Sequence, residues 1–192
     1  MTPYVKLRGW PEFAGLLLLS FAIQFTDVLE VPQLFGPVLH RPVFLSNFQP
    51  VLMAATVVTL LGSRWDEPYE AASRARGVVP DRAVVVALLA AAWALVTAFG
   101  LAIGVVPAHM VLALVTGALA CGVVLALRCR VPTRPVAVVV LPVTFILCLF
   151  PWYLGEHTIL GDAVGVGLSP TVTTICTLVC VAGAGAWIAD GR

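Results

Sequence analysis

Six long apolar runs, separated alternately by arginine-rich segments and by segments nearly free of Lys and Arg, constrain this chain more than any motif in it. Crossing about 30 Å of hydrocarbon takes about 20 helical residues. The runs Phe13–Leu29, Phe44–Gly62, Ala83–Val106, Ala108–Leu127, Val136–Tyr153 and Ser169–Ala189 supply six such segments. Threaded through a membrane in that order, every Lys and Arg except Arg41 falls on one side. Positive charge in short loops resists translocation, so that side reads as cytoplasmic. The pattern predicts an all-α polytopic membrane protein: six transmembrane helices, a single transmembrane domain over residues 1–192, and both termini inside.

Composition points the same way. Charged residues make up 11% of the chain and hydrophobic ones 60%, with a mean hydropathy of +1.02. A soluble domain carries about 25% charged residues, so too little polar surface exists here to cover a water-exposed globule. The net charge of +1 says nothing about nucleic acid, since what matters is where the charges sit, and no nucleic-acid partner is expected. Ten arginines against one lysine, with abundant Ala and Val, suggest a high-GC bacterial genome, which would place the protein in a bacterial plasma membrane. Lys6, Arg8 and the run from Phe13 to Ile23 imitate a signal peptide, with Ser20-Phe21-Ala22 as its cleavage site. The apolar character continues past that site, so the run reads as the first membrane helix. In lipid every backbone polar group needs an internal partner, which leaves helices as the economical structure.

Cysteine usage adds no disulfide framework and no zinc motif. Cys121, Cys129, Cys148, Cys176 and Cys180 lie in or beside apolar runs without CxxC spacing and read as small buried hydrophobes. Cys176 and Cys180 share a helix face, but no Met or His is fixed beside them to complete a soft-metal site. His109, Glu156, His157 and Asp162 are spread over the outer segments and read as solvated. No GxSxG, HExxH or paired intramembrane carboxylates occur, so membrane proteolysis or hydrolysis has no support, and no metal or cofactor is expected on this chain.

The connecting segments are unequal. The outer stretch from Glu30 to Val43 holds three prolines and several apolar residues, and is expected to lie along the membrane face. Pro107 marks a tight outer turn, and Arg128-Cys129-Arg130-Val131-Pro132-Thr133-Arg134-Pro135 a strongly basic inner one. The longest inner segment runs from Ser63 to Arg82. Within it Asp66 and Glu67 precede Arg74 and Arg76 in the order that suits a helix dipole, with Pro68 fit for a first turn and Gly77 for a C-terminal cap. Glu70 and Arg74 stand at i,i+4 in the favourable order. A short inner helix presenting Trp65 and Tyr69 is predicted. Such a helix suits docking into a partner's groove. Composition alone favours the plainer role of aromatic anchoring at the headgroups.

A six-helix protein of this length, with a short inner helix between helices two and three, resembles the transmembrane subunits of ABC-2-type ABC transporters, and the stretch Asp66-Glu67-Pro68-Tyr69-Glu70 followed by Arg74 and Arg76 looks like the coupling segment of small actinobacterial permeases in that group. Glu70-Ala71-Ala72 is also similar to the importer EAA loop, although Gly77 stands one residue late for it and the long interval before the proline is missing. The resemblance implies that Trp65, Asp66, Glu67, Tyr69, Glu70, Arg74 and Arg76 contact a separate nucleotide-binding ATPase subunit. It implies further that two permease subunits, identical or not, enclose one path, with export as the expected direction. No Walker-type glycine loop occurs, so ATP hydrolysis would belong to another chain and this one is not expected to be an enzyme.

Two further groups are candidates. Ser20, Gln24, Asp27 and Glu30 lie within one broad face toward the outer end of helix one, where they would line a translocation path or simply be solvated among headgroups. Helix six carries small and hydroxyl residues, of which Thr173, Thr177 and Gly183 are candidates for close helix packing within or between subunits. Two other functions fit the same topology: a substrate-binding membrane subunit of the energy-coupling-factor kind, with a ligand pocket inside one subunit, and a non-transporting accessory subunit of a membrane complex.

Overall fold

The computed structural model describes residues 9–26, 48–61, 79–105, 107–149 and 170–189. Among these the chain forms six α-helices and no strand: α1 (Trp10–Gln24), α2 (Gln49–Leu61), α3 (Val79–Ala102), α4 (Pro107–Arg128), α5 (Thr133–Leu149) and α6 (Pro170–Ala189). Prolines stand in the first turns of α1, α2, α3 and α4, where a missing N–H costs nothing because it would have no helical acceptor. Gly104, at φ +90°, ends α3. Its N–H reaches the Leu101 carbonyl at 3.2 Å, and the Val105 N–H reaches the Gly100 carbonyl at 3.0 Å. These are the two bonds of a Schellman termination, which needs a left-handed residue that glycine supplies without strain. Pro107 then opens α4 directly.

The helices alternate in direction. Round the bundle they follow the order α1, α3, α6, α4, α5, α2, and α2 also meets α4 across the middle. At one end Thr133 Oγ1 donates to the Leu61 carbonyl at 3.3 Å, and the Arg82 guanidinium donates to the Trp187 carbonyl at 2.7 Å. At the other end Phe99 meets the edges of Phe21 and Phe25 at 5.1 and 5.5 Å, and Phe48 lies 5.1 Å from Phe145. The core between them is built from Met53, Val57, Leu60, Val85, Trp93 and Val124 with their neighbours.

The most extensive contact joins α4 to α6, and its cause is local. Gly122 and Gly183 face each other so closely that a Cβ on Gly183 would collide with the Gly122 carbonyl. A Cβ on Gly122 would lie 2.7 Å from Cys180 Cα. Both obstacles are backbone, so only residues without a side chain allow this approach. Gly117 plays a related part on α4, giving room to the Met53 thioether from α2.

Two expectations about boundaries need correction. Arg82, placed by the sequence at the end of the inner segment, lies inside α3 and is 3% exposed, because Pro80 is tolerated in a first turn and the helix starts at Val79. Pro107 begins α4 rather than sitting between two helices. Among the described residues, one stretch, Arg82–Ala102, is long and apolar enough to cross a membrane, at 21 residues and a mean hydropathy of 2.4. Shorter apolar stretches lie in the other helices, at Trp10–Gln24, Gln49–Leu61, Ala113–Arg128, Thr133–Ile146 and Thr173–Ala189. Their outward faces are apolar as well: Leu18, Leu95, Val138, Leu178 and Val181 are 61–73% exposed.

Candidate functional site: a polar pair opposite a basic end

Charge is segregated along the bundle. Among the described residues the acidic and basic side chains with defined positions are Glu12, Arg82, Arg128, Arg130 and Arg134, and all belong to the end where α1, α3 and α5 begin. Arg82 is the most deeply placed. Its guanidinium bonds the Trp187 carbonyl in the last turn of α6 and lies 5.3 Å from the Trp187 ring centroid, adding cation–π attraction to a charge-assisted hydrogen bond. A cation at the carbonyl end of a helix also complements its dipole. The residue that follows the inner segment is thus tied to the far end of the chain.

The opposite end holds the unusual polar groups. Gln24, the last residue of α1, is 2% exposed, and Gln49, the first of α2, is 3% exposed. Among the described residues the Gln24 side-chain oxygen has no hydrogen-bond partner, and neither the oxygen nor the nitrogen of the Gln49 carboxamide has one. The Gln24 oxygen lies against Gly100, where a Cβ would sit 2.9 Å from it, beside the Met110 thioether. Leaving a buried amide unsatisfied costs about 1–3 kcal/mol per group, so each of them calls for a ligand or water as its partner. Carboxamides offer donors and acceptors without charge, which suits a neutral polar group.

The buried hydroxyls and the Trp93 indole are satisfied. Ser20 is fully buried and donates to the Leu16 carbonyl at 2.8 Å, so its hydroxyl is occupied within its own helix. The Trp93 indole N–H donates to Thr56 Oγ1 at 3.1 Å, while the Thr56 hydroxyl donates to the Met53 carbonyl at 2.7 Å. Thr144 is closed in the same way on the Val140 carbonyl, at 2.8 Å.

Of the expected path residues, Ser20 and Gln24 therefore lie together on the inward face of α1, while Asp27 and Glu30 lie outside the described residues. The whole docking segment, Trp65, Asp66, Glu67, Tyr69, Glu70, Arg74 and Arg76, also lies outside them. Of the expected packing residues, Gly183 is buried against Gly122 and Thr173 is half-buried. Thr177 faces outward with its hydroxyl donated to the Thr173 carbonyl at 2.7 Å. No disulfide forms among the five cysteines, all of which are described, and no three His, Cys, Asp or Glu side chains converge among the described residues.

Gln49 is the residue that reading the sequence missed. At the start of an apolar run a glutamine resembles a boundary marker, and only the packing around α2 reveals its depth. The one available signal was Gln49-Pro50, a polar residue directly before a first-turn proline, which fixes where the helix begins. No family model matches the chain, and no characterised protein or solved structure is significantly similar to it.

Proposed function

We propose that the chain is a six-pass bacterial plasma-membrane protein serving as the permease subunit of an ATP-binding-cassette transporter. It pairs with a second permease subunit, the same chain or another, and draws on a separate ATPase, with export as the direction. The observation that carries the reading is the polarity of the bundle. Among the described residues its exposed faces carry large apolar side chains, its four arginines gather at one end, and the buried carboxamides of Gln24 and Gln49 lie at the other. A lipid-facing surface explains the exposed Leu and Val side chains, and the positive-inside rule turns the arginine end toward the cytoplasm. Gln24 and Gln49 then stand at the outer mouth of a path, and the segment containing Trp65 and Glu70 faces the ATPase.

The same two glutamines favour a second reading. They belong to neighbouring helices of a single subunit, as a ligand pocket in an energy-coupling-factor-type binding subunit would require. Gentle-detergent pull-down of the tagged chain, with mass spectrometry of what accompanies it, tests the permease reading. A stoichiometric nucleotide-binding subunit, lost on combined Trp65→Ala and Glu70→Ala substitution, is the expected result. Association unaffected by both substitutions removes the docking role, and recovery without any ATPase removes the transporter reading altogether.

A further inference from the structure

A groove of about 230 Å³ runs between α4 and α5, lined by Leu119, Ala120, Val123 and Leu127 on one side and Val139 and Val143 on the other. It exists although a short turn joins the two helices. The glycine contact holds α4 against α6, while α5 leans on α2, so the faces of α4 and α5 do not close on each other. Val139 and Val143, 60% and 50% exposed, leave its outer side open.

Three features identify what fills it. On α4 the lining runs from Thr116 to Leu127, eleven residue steps, or about 16 Å of helix. That is about half the thickness of a hydrocarbon core, the depth of one leaflet. The lining is apolar, and its one buried hydroxyl, on Thr144, is already bonded to its own helix. At the Leu127 end the next residues in the chain are basic: Arg128 ends α4, and Arg130 and Arg134 are exposed in the turn and in the first turn of α5. No Asp or Glu occurs anywhere in α4, α5 or the turn joining them.

We propose that this groove binds one acyl chain of an anionic phospholipid of the inner leaflet, with the headgroup phosphate held by Arg130 and Arg134. The arginine stems follow the apolar surface while their guanidinium groups reach the phosphate in the headgroup layer. The inference rests on membrane insertion with the arginine end inside, and not on transport. It deepens that placement by naming a lipid class and a position for it.

The test has two stages. Carbonate extraction of membranes from expressing cells establishes insertion first, independently of any lipid preference. Native mass spectrometry of the full-length protein in detergent, titrated with phosphatidylglycerol or phosphatidylcholine, then reads retained lipid. The expected result is one retained phosphatidylglycerol, with the preference over phosphatidylcholine falling about fivefold for each of Arg130→Gln and Arg134→Gln. Val139→Trp, which fills the groove from an exposed position, is expected to abolish retention of both lipids while helicity by circular dichroism stays unchanged. Equal retention of the two lipids by the unaltered protein would overturn the proposal. So would phosphatidylglycerol retention that survives Val139→Trp. A dimer dissociated by Val139→Trp, with phosphatidylglycerol retention intact, would assign the groove to a second copy and overturn it equally.

Discussion

Gly122 and Gly183 bring the backbones of α4 and α6 together, and substitution there separates contact from helix propensity. Alanine at either position drives a methyl into the backbone of the partner helix, at a cost of about 1–3 kcal/mol. Gly15 and Gly185 meet nothing within 4 Å, so alanine there is expected to gain up to about 1 kcal/mol through helix propensity alone. Denaturing-detergent titrations followed by circular dichroism compare the four variants directly. Gln24 and Gln49 call for the opposite logic. Because the Gln49 carboxamide has no partner among the described residues, Gln49→Leu is expected to raise stability in the same assay by about 1–3 kcal/mol while impairing whatever the site binds or passes. A loss of stability would mean that the carboxamide is already satisfied. These residues also mark the limit of what the sequence reveals. Gly183 was identifiable as a packing residue because helix six carries small residues at close intervals. Its partner Gly122 was not, since nothing in an apolar run indicates which face will meet a helix some sixty positions away.

Among the elements, α3 and α6 are linked through one side chain. Arg82 satisfies a carbonyl in the last turn of α6 and stacks on Trp187, so the first turn of α3 cannot shift without disturbing the end of α6. Arg82→Met keeps the apolar stem and removes the charge-assisted hydrogen bond. It is expected to cost about 1.5–3 kcal/mol in the same titration. Arg82→Lys is expected to recover only part of that loss, because an ammonium cannot reproduce the planar stack on the ring. Helix existence was legible from apolar run length, and α4 and α6 begin within a residue of their expected starts. The place of Arg82 was not legible. Charge is a good marker of a boundary only while the side chain has no partner inside, and a backbone carbonyl of α6 supplies one.

For the whole molecule, the alternation of charge along the sequence becomes a division between two ends in space. The sequence pattern assigned the basic segments to one side, and the antiparallel helices gather Arg82, Arg128, Arg130 and Arg134 at one end of the bundle. The exposed apolar side chains between the ends support the proposed lipid-facing surface. Six complete spans, the ATPase and the paired subunit belong to the proposal, because among the described residues one helix is clearly long and apolar enough for a crossing and the docking segment lies outside them. The central claim is that the bundle crosses the membrane with its arginine end in the cytoplasm. The measurement that tests it most directly is labelling of single cysteines, in a background with the five native ones replaced, by a membrane-impermeant thiol reagent on intact cells. Ile103→Cys, in the exposed turn after α3, is predicted to label in intact cells, and Arg130→Cys only after permeabilisation. Labelling of Arg130→Cys in intact cells, or protection of both positions until permeabilisation, would contradict the account.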